Sequence, residues 1–335
     1  MRKAFHQYFR PARDELNQLW QQGLLSFDAS VLLNVYGYSE KTREDLVKFI
    51  EKHAERVRLP HQFGLEFARN RSSVIIKQVH SYLRVESELK KIMDEIASTR
   101  DHPFLSKKST RAFHAIRHEL EERRKAMEKL VGADPYADRM FEIFEGRVGR
   151  CPTLEERSQM EADAQARYAN PDPIPPGFAD VKEKGFPDAC GDCIAWLQLM
   201  EIAKEEKKGV ILVIDDAKED WWLVAKSYKL GLPRPELREE FTRVTGQRFY
   251  MYNSESFLRA AKEFTPTEIR DDVLEEVSRR IADEIAALQA VLLKPMPAET
   301  ERSDVQKISG PSDLKQPPAV SDSTPSADKS GPPAE

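Results

Sequence analysis

The stretch VILVIDDAKED, residues 210–220, decides the fold. Val210 to Ile214 form an apolar run of strand length with no polar interruption, and Asp215, Asp216 and Asp220 follow directly. A strand that is apolar on both faces must be covered on both faces, which is how a strand inside a parallel sheet reads. Parallel strands cannot be joined by a tight turn, so helices are expected before and after it. Upstream, Gly191 to Glu206 has Ile194, Leu197, Met200 and Ile202 on one side, the pattern of a buried helix, and Gly209 ends the connection. Downstream, Phe249 to Tyr252 reads as a strand and Glu255 to Phe264 as the helix after it.

The same alternation recurs near the amino terminus. Leu24 to Phe27 is a short strand ending at Asp28, and Ser30 begins an apolar run, VLLNVY, of helical character. Val57, Arg58 and Leu59 read as a further strand closed by Pro60, and HQFGLEFARNR continues with helical spacing. The first 20 residues read as an amphipathic helix with Phe5, Tyr8, Phe9, Leu16, Leu19 and Trp20 loosely on one face. From Ile75 to Leu130 the pattern is almost continuously helical, with a break around Asp101–Lys108 where Pro103 forbids a central helical position. The heptad-like spacing on either side predicts a long antiparallel helical hairpin, most simply an insertion over about residues 75–187 that ends in the proline-rich NPDPIPPGF. Alternating strands and helices on both sides of this insertion predict a doubly wound parallel α/β sheet flanked by helices. The expected organisation is one domain over residues 1–264, a charged helix over 265–293 and a disordered tail over 294–335, where Pro, Ser, Asp and Lys replace hydrophobes.

Composition narrows the function. The chain of 335 residues has a formal charge of −5, which argues against coating nucleic acid by bulk attraction. The charge is uneven: residues 41–130 hold 21 Lys and Arg against 14 Asp and Glu, an excess of +7, which leaves −12 on the rest. A polyanion can lie along one part of such a molecule while an acidic pocket elsewhere collects a divalent cation. No run approaches the roughly 18 apolar residues a membrane span needs, and charges occupy MRKAFHQYFRPARDEL where a signal peptide has its apolar centre, so a cytoplasmic protein is expected. Three cysteines suit a reducing compartment, and the Cys190/Cys193 pair has no second pair to complete a zinc site. Small apolar packing on a helix is the simpler role for both.

In doubly wound sheets the working site lies beyond the carboxyl ends of the strands. Asp28, Glu66, Asp192 and the group Asp215, Asp216 and Asp220 all fall there, from four separate segments. Singly, each has an ordinary structural role: Asp28 and Asp192 as helix caps, Asp215 and Asp216 as turn residues. Together they concentrate negative charge that a cation would relieve, and hard oxygen donors suit Mg²⁺ or Mn²⁺, which activate water and stabilise a departing phosphodiester oxygen. GxxxxGK[ST] does not occur, and all seven histidines lie within the first 120 residues, so neither a phosphate loop nor a Ser-His-Asp arrangement serves these acids.

FDASVLLNVY resembles the opening motif of PIN domains, LPHQFGLEFARNR the second, GDCIAW the third and VIDDAKEDWW the fourth, over about residues 20–264. The long insert, PPGFADVK and LPRPELREEF resemble a bacterial PIN-like subgroup with a large insert before the third acid. The fourth motif departs from the family pattern, with Ile214 in place of Thr and two extra residues before Asp220, so the choice among Asp215, Asp216 and Asp220 stays open, Asp216 being preferred and Asp220 second. The resemblance implies a metal-dependent nuclease directed at single strands, most often RNA, with catalytic Asp28, Glu66, Asp192, Asp216 and Asp220. A toxin-like or phage-defence setting would suit such an activity, with a homodimer or inhibitory partner left open. Arg69, Arg71 and Lys77, on the helix of Glu66, are candidate backbone contacts, and Lys182 a phosphate neutraliser. Asp180, Arg234 and Glu240 either line the pocket or pin the insert by ion pairs. Trp221 and Trp222 either stack a base or anchor the core. A phosphatase of the haloacid dehalogenase kind needs a second Asp where Ser30 stands. The remaining alternative is a scaffold with a charged helical arm.

Overall fold

The computed structural model describes residues 1, 5–97, 105–225 and 228–292. Three parallel strands, β1 (Leu24–Phe27), β2 (Val210–Val213) and β5 (Phe249–Tyr252), form the sheet in the order β1-β2-β5. Leu25 pairs with Ile211, and Ile211 with Tyr250, so the strands run in step and their carboxyl ends form one rim. On the free side of β1, Leu25 makes a single parallel bridge to Val57. The chain therefore leaves β1 toward one side and returns to place β2 on the other, which puts the reversal of strand order at β1 and β2. Clefts open at such reversals because successive connections depart in opposite directions.

Each face of the sheet buries its own aromatic group, as strand alternation requires. On one face Trp20, from α1 (Arg13–Gln22), stacks on Phe257 and Phe264 of α11 (Ser254–Phe264), with ring centroids 5.2 and 5.9 Å apart. On the other, Trp196 of α9 (Gly191–Glu206) meets Phe249 at 5.0 Å and Phe241 of α10 (Pro235–Thr245) at 5.6 Å. Residues of β5 thus serve opposite cores, Phe249 with Trp196 and Tyr252 with Trp20. All four residues of β1 and of β2 are buried.

The insertion begins inside a 37-residue helix, α4 (His61–Ala97), against which α5 (Lys107–Gly132) packs. At about 1.5 Å per residue α4 is about 55 Å long, so only its first half touches the core through Phe63, Phe67, Ile75 and Val79. Two shorter helices follow, α6 (Pro135–Phe144) and α7 (Leu154–Tyr168), and α7 returns to lie on α9. The remaining α-helices among the described residues are α2 (Ala29–Asn34), α3 (Glu40–Lys52), α8 (Val181–Lys184) and α12 (Asp271–Leu292). No helix among the described residues is long and apolar enough to cross a membrane.

Three details differ from the sequence expectation. Pro11 divides the first 20 residues into a short 3-10 turn, His6–Tyr8, and α1. The strand expected at residues 57–59 is reduced to two isolated bridges, Val57 to Leu25 and Leu59 to Val148. An antiparallel pair, β3 (Trp222–Ala225) with β4 (Tyr228–Pro233), stands where no strand was expected. The tail expected to be disordered and the break at Pro103 lie outside the described residues.

Candidate active site

Asp28 ends β1 and caps α2. Its backbone N–H donates to the Val213 carbonyl at 2.9 Å, which locks it to the end of β2, and its carboxylate accepts the Ser30 N–H at 2.8 Å and the Ser30 hydroxyl. Only 5% of the residue is exposed. Burial pushes its carboxyl up to about 7, with Glu66 and Asp216 adding repulsion, and the Ser30 bonds only partly offset the rise.

Asp192 stands in the first turn of α9. Burial raises its carboxyl well above the usual range, the charges of Asp216 and Asp28 raise it further, and Lys218 opposes them. The Trp221 indole donates to it at 3.2 Å. Glu66 approaches from α4, accepts from the Gln62 amide at 2.6 Å and is also raised by burial. Gly191 shows how close the two elements come: a Cβ built there would lie 2.7 Å from Glu66 Oε1. Any side chain at 191 would push Glu66 away from the head of α9.

Asp216 follows β2, half-buried, and pairs with Lys218 at 2.7 Å. The Lys218 ammonium also bonds to Asp180, which is 1% exposed and bonded in addition to Lys184. Burial pushes Asp180 up, but the two lysines outweigh it and hold its carboxyl below the usual range. Burial pulls Lys218 down, yet Asp216 and Asp192 raise it more, so its ammonium stays charged among the acids. Sequence reasoning missed both lysines. The four-residue spacing of Asp180 and Lys184 was a signal for one of them, whereas Lys218 reaches Asp180 only through a loop of the insertion.

Two of the expected acids have other work. Asp215 accepts Asn34 Nδ2 at 2.9 Å and the Ser254 N–H and hydroxyl, each at 2.8 Å, tying the end of α2 to the start of α11. Asp220, fully buried, accepts the N–H groups of Gly177 at 2.8 Å and Ala179 at 3.2 Å. It holds the PPGFAD loop against Asp192: Gly177 has φ of +99°, and a Cβ there would lie 3.3 Å from the Asp192 Cβ. Arg71 pairs at 3.0 Å with buried Asp134, which also accepts from Tyr36, while Arg69, Lys77 and Lys182 are exposed. Glu240 takes both guanidinium nitrogens of Arg167 at 2.8 and 2.7 Å and the Trp196 indole at 2.8 Å, so it pins the insertion to the core. Arg234 pairs with Glu236. Trp221 is fully buried, and Cys190 and Cys193 pack with Ala164 and Ile194.

Asp28, Glu66, Asp192 and Asp216, each from a different segment, are linked by charge, Asp28 to Glu66 and Asp216 and Asp192 to Asp216 and Asp28; Asp180 also raises Glu66 and Asp192, and Asp216 raises Asp220. Among the described residues no group of three His, Cys, Asp or Glu already forms a cage for a metal ion. The donor chemistry nevertheless fits a hard divalent cation. The groups are oxygen donors, three are driven toward protonation by burial and by mutual repulsion, and an ammonium already sits against the fourth.

A family model described as a PIN-like domain matches residues 24–237, which include all four of these acids. No curated protein and no solved structure matches the chain.

Proposed function

The chain belongs to the PIN-like domain family, a nuclease-type fold, and from that premise we propose that it is a metal-dependent nuclease that hydrolyses phosphodiester bonds in single-stranded RNA. What supports this reading is that, beyond one end of a parallel sheet, Asp28 feels the charges of Glu66 and Asp216, and Asp192 those of Asp216 and Asp28. These four residues would hold Mg²⁺ or Mn²⁺, which supplies an activated water and charge stabilisation at the phosphate.

The chain's own groups have separate tasks. Ser30 and Gln62 orient the carboxyl groups of Asp28 and Glu66, and the Trp221 indole orients Asp192. Asp220 holds the Gly177 loop over the same edge through the Gly177 and Ala179 N–H groups. Lys218 and Lys184 lower the repulsion among the acids and offer positive charge to an incoming phosphate.

Cleavage of labelled single-stranded RNA in Mn²⁺ tests the reading. Wild-type protein should cut, EDTA should stop it, and Asp192→Asn should lower the rate at least a hundredfold while circular dichroism stays unchanged. Equal cleavage by wild type and Asp192→Asn, or no cleavage of any RNA or DNA by wild type, would favour the scaffold reading instead.

A further inference from the structure

Beside Asp216 the surface opens into a groove of about 600 Å³ over the carboxyl ends of β2 and β5. Its walls come from the segment leading into α1, which supplies Arg10 and Arg13, and from α11, which supplies Arg259; Tyr252 lies between them. Arg10 is exposed and makes no ion pair among the described residues. Arg13 pairs with Glu263 at 3.0 Å with side chains 75% and 52% exposed, and Arg259 pairs with Glu255, one turn earlier, while 60% exposed. Pairs so open to water contribute little to stability and exchange readily for a phosphate, which binds a guanidinium through two parallel hydrogen bonds.

The position of Arg10 is built rather than incidental. Arg238, only 6% exposed, donates to the carbonyls of His6 at 2.9 Å, Gln7 at 2.9 Å and Phe9 at 2.6 Å. One buried guanidinium thus fixes three main-chain oxygens of the four residues before Arg10. The half-buried Tyr252 ring is held from behind by Tyr250, edge-on at 4.9 Å, and by the Trp20 indole donating to its hydroxyl at 3.3 Å. A fixed aromatic ring among guanidinium groups, at the edge of a carboxylate cluster, matches a polyanion that carries bases. Arg10, Arg13, Tyr252 and Arg259 all lie outside residues 24–237, whereas Asp215, Asp216 and Trp222 line the groove from within that matched segment.

We propose that this groove seats the single-stranded nucleic acid on one side of the bond to be cut, with backbone phosphates against Arg10, Arg13 and Arg259 and a base against Tyr252. The assignment rests on the nuclease reading in taking Asp216 as the edge of the cleavage centre.

The test is fluorescence anisotropy of a labelled oligouridylate with the full chain in EDTA, over a series of salt concentrations. Arg10→Glu with Arg259→Glu should weaken binding at least tenfold and flatten the logarithmic salt dependence by about 1.4, because each single-strand phosphate neutralised by a guanidinium adds about 0.7 to the slope. Arg10→Lys with Arg259→Lys should restore most of the affinity and the slope, and Tyr252→Leu should weaken binding without changing the slope. Should the double reversal unfold the protein, Arg10→Ala and Arg259→Ala give the same readout singly. Unchanged affinity and slope, a like loss from Arg117→Glu on the exposed face of α5, or no binding by wild type would each overturn the groove assignment. Parallel cleavage in Mn²⁺ separates the two ideas: a wild type that cuts while the reversal binds normally overturns the groove alone. A wild type that binds through these arginines but never cuts keeps the groove and overturns the nuclease reading.

Discussion

Asp28 and Lys218 set the electrostatic balance of the rim, and each yields a measurable consequence. In the folded protein Asp28 titrates at about 7, against 3.8 for an unperturbed group, so the native state holds a proton that the unfolded chain has released. Stability of the metal-free protein should fall as pH rises through that window, by about 2–4 kcal/mol from this group. Asp28→Asn keeps the cap and removes the charge. Its melting temperature in EDTA should exceed that of wild type at pH 8 and converge on it near pH 4, and equal melting at both pH values would contradict the burial argument. Lys218 neutralises part of Asp216 and Asp180, so Lys218→Met should tighten Mn²⁺ binding several-fold by calorimetry; weaker binding would mean that the lysine helps to shape the centre. Asp28, Glu66, Asp192 and Asp216 could be singled out as candidates in the sequence because strand ends and helix starts are local features. The sequence favoured Asp216 on its place in the motif but carried no sign of the different partners of the two neighbours, Asn34 and Ser254 for Asp215 and Lys218 for Asp216, since adjacent residues in extended chain point opposite ways.

At the scale of elements, the site depends on how α7 and the Gly177 loop are held against α9. Arg167 and Glu240 join α7 to α10 through a doubly bonded ion pair, and Trp196 shares the same carboxylate. Removing one partner leaves the other charge poorly solvated, so Glu240→Ala should cost about 2–4 kcal/mol and raise amide exchange across residues 175–190. Exchange confined to α10 would show that the pair supports that helix alone. The buried strands β1, β2 and β5 were readable as apolar runs or alternations, and α9 by its periodicity. The β3–β4 pair was not, because Lys229, Gly231 and Pro233 break the alternation in its second strand. Val57 to Leu59 carries the composition of a strand, yet its two bridges face different neighbours, Leu25 and Val148, and no ladder extends from either.

For the whole molecule, the matched segment supplies the four acids, while residues before 24 and after 237 supply the arginines and the tyrosine of the groove beside Asp216. The doubly wound sheet and the long hairpin were both legible, since each follows from periodicity over many residues. The convergence of distant carboxylates is an expectation from topology; in the structure Asp28 feels the charges of Glu66 and Asp216, and Asp192 those of Asp216 and Asp28. The position of Lys218 and the groove beside Asp216 depend on contacts between segments far apart in the chain, for which single-sequence patterns carry no signal. The central claim is that these acids share a divalent cation. Anomalous diffraction from a crystal soaked in Mn²⁺ tests it most directly. The account predicts a peak in contact with Asp28 and Asp192 and within reach of Asp216 and Glu66, with the Lys218 ammonium displaced from Asp216. A peak elsewhere, or none on that rim at a concentration that supports cleavage, would contradict it.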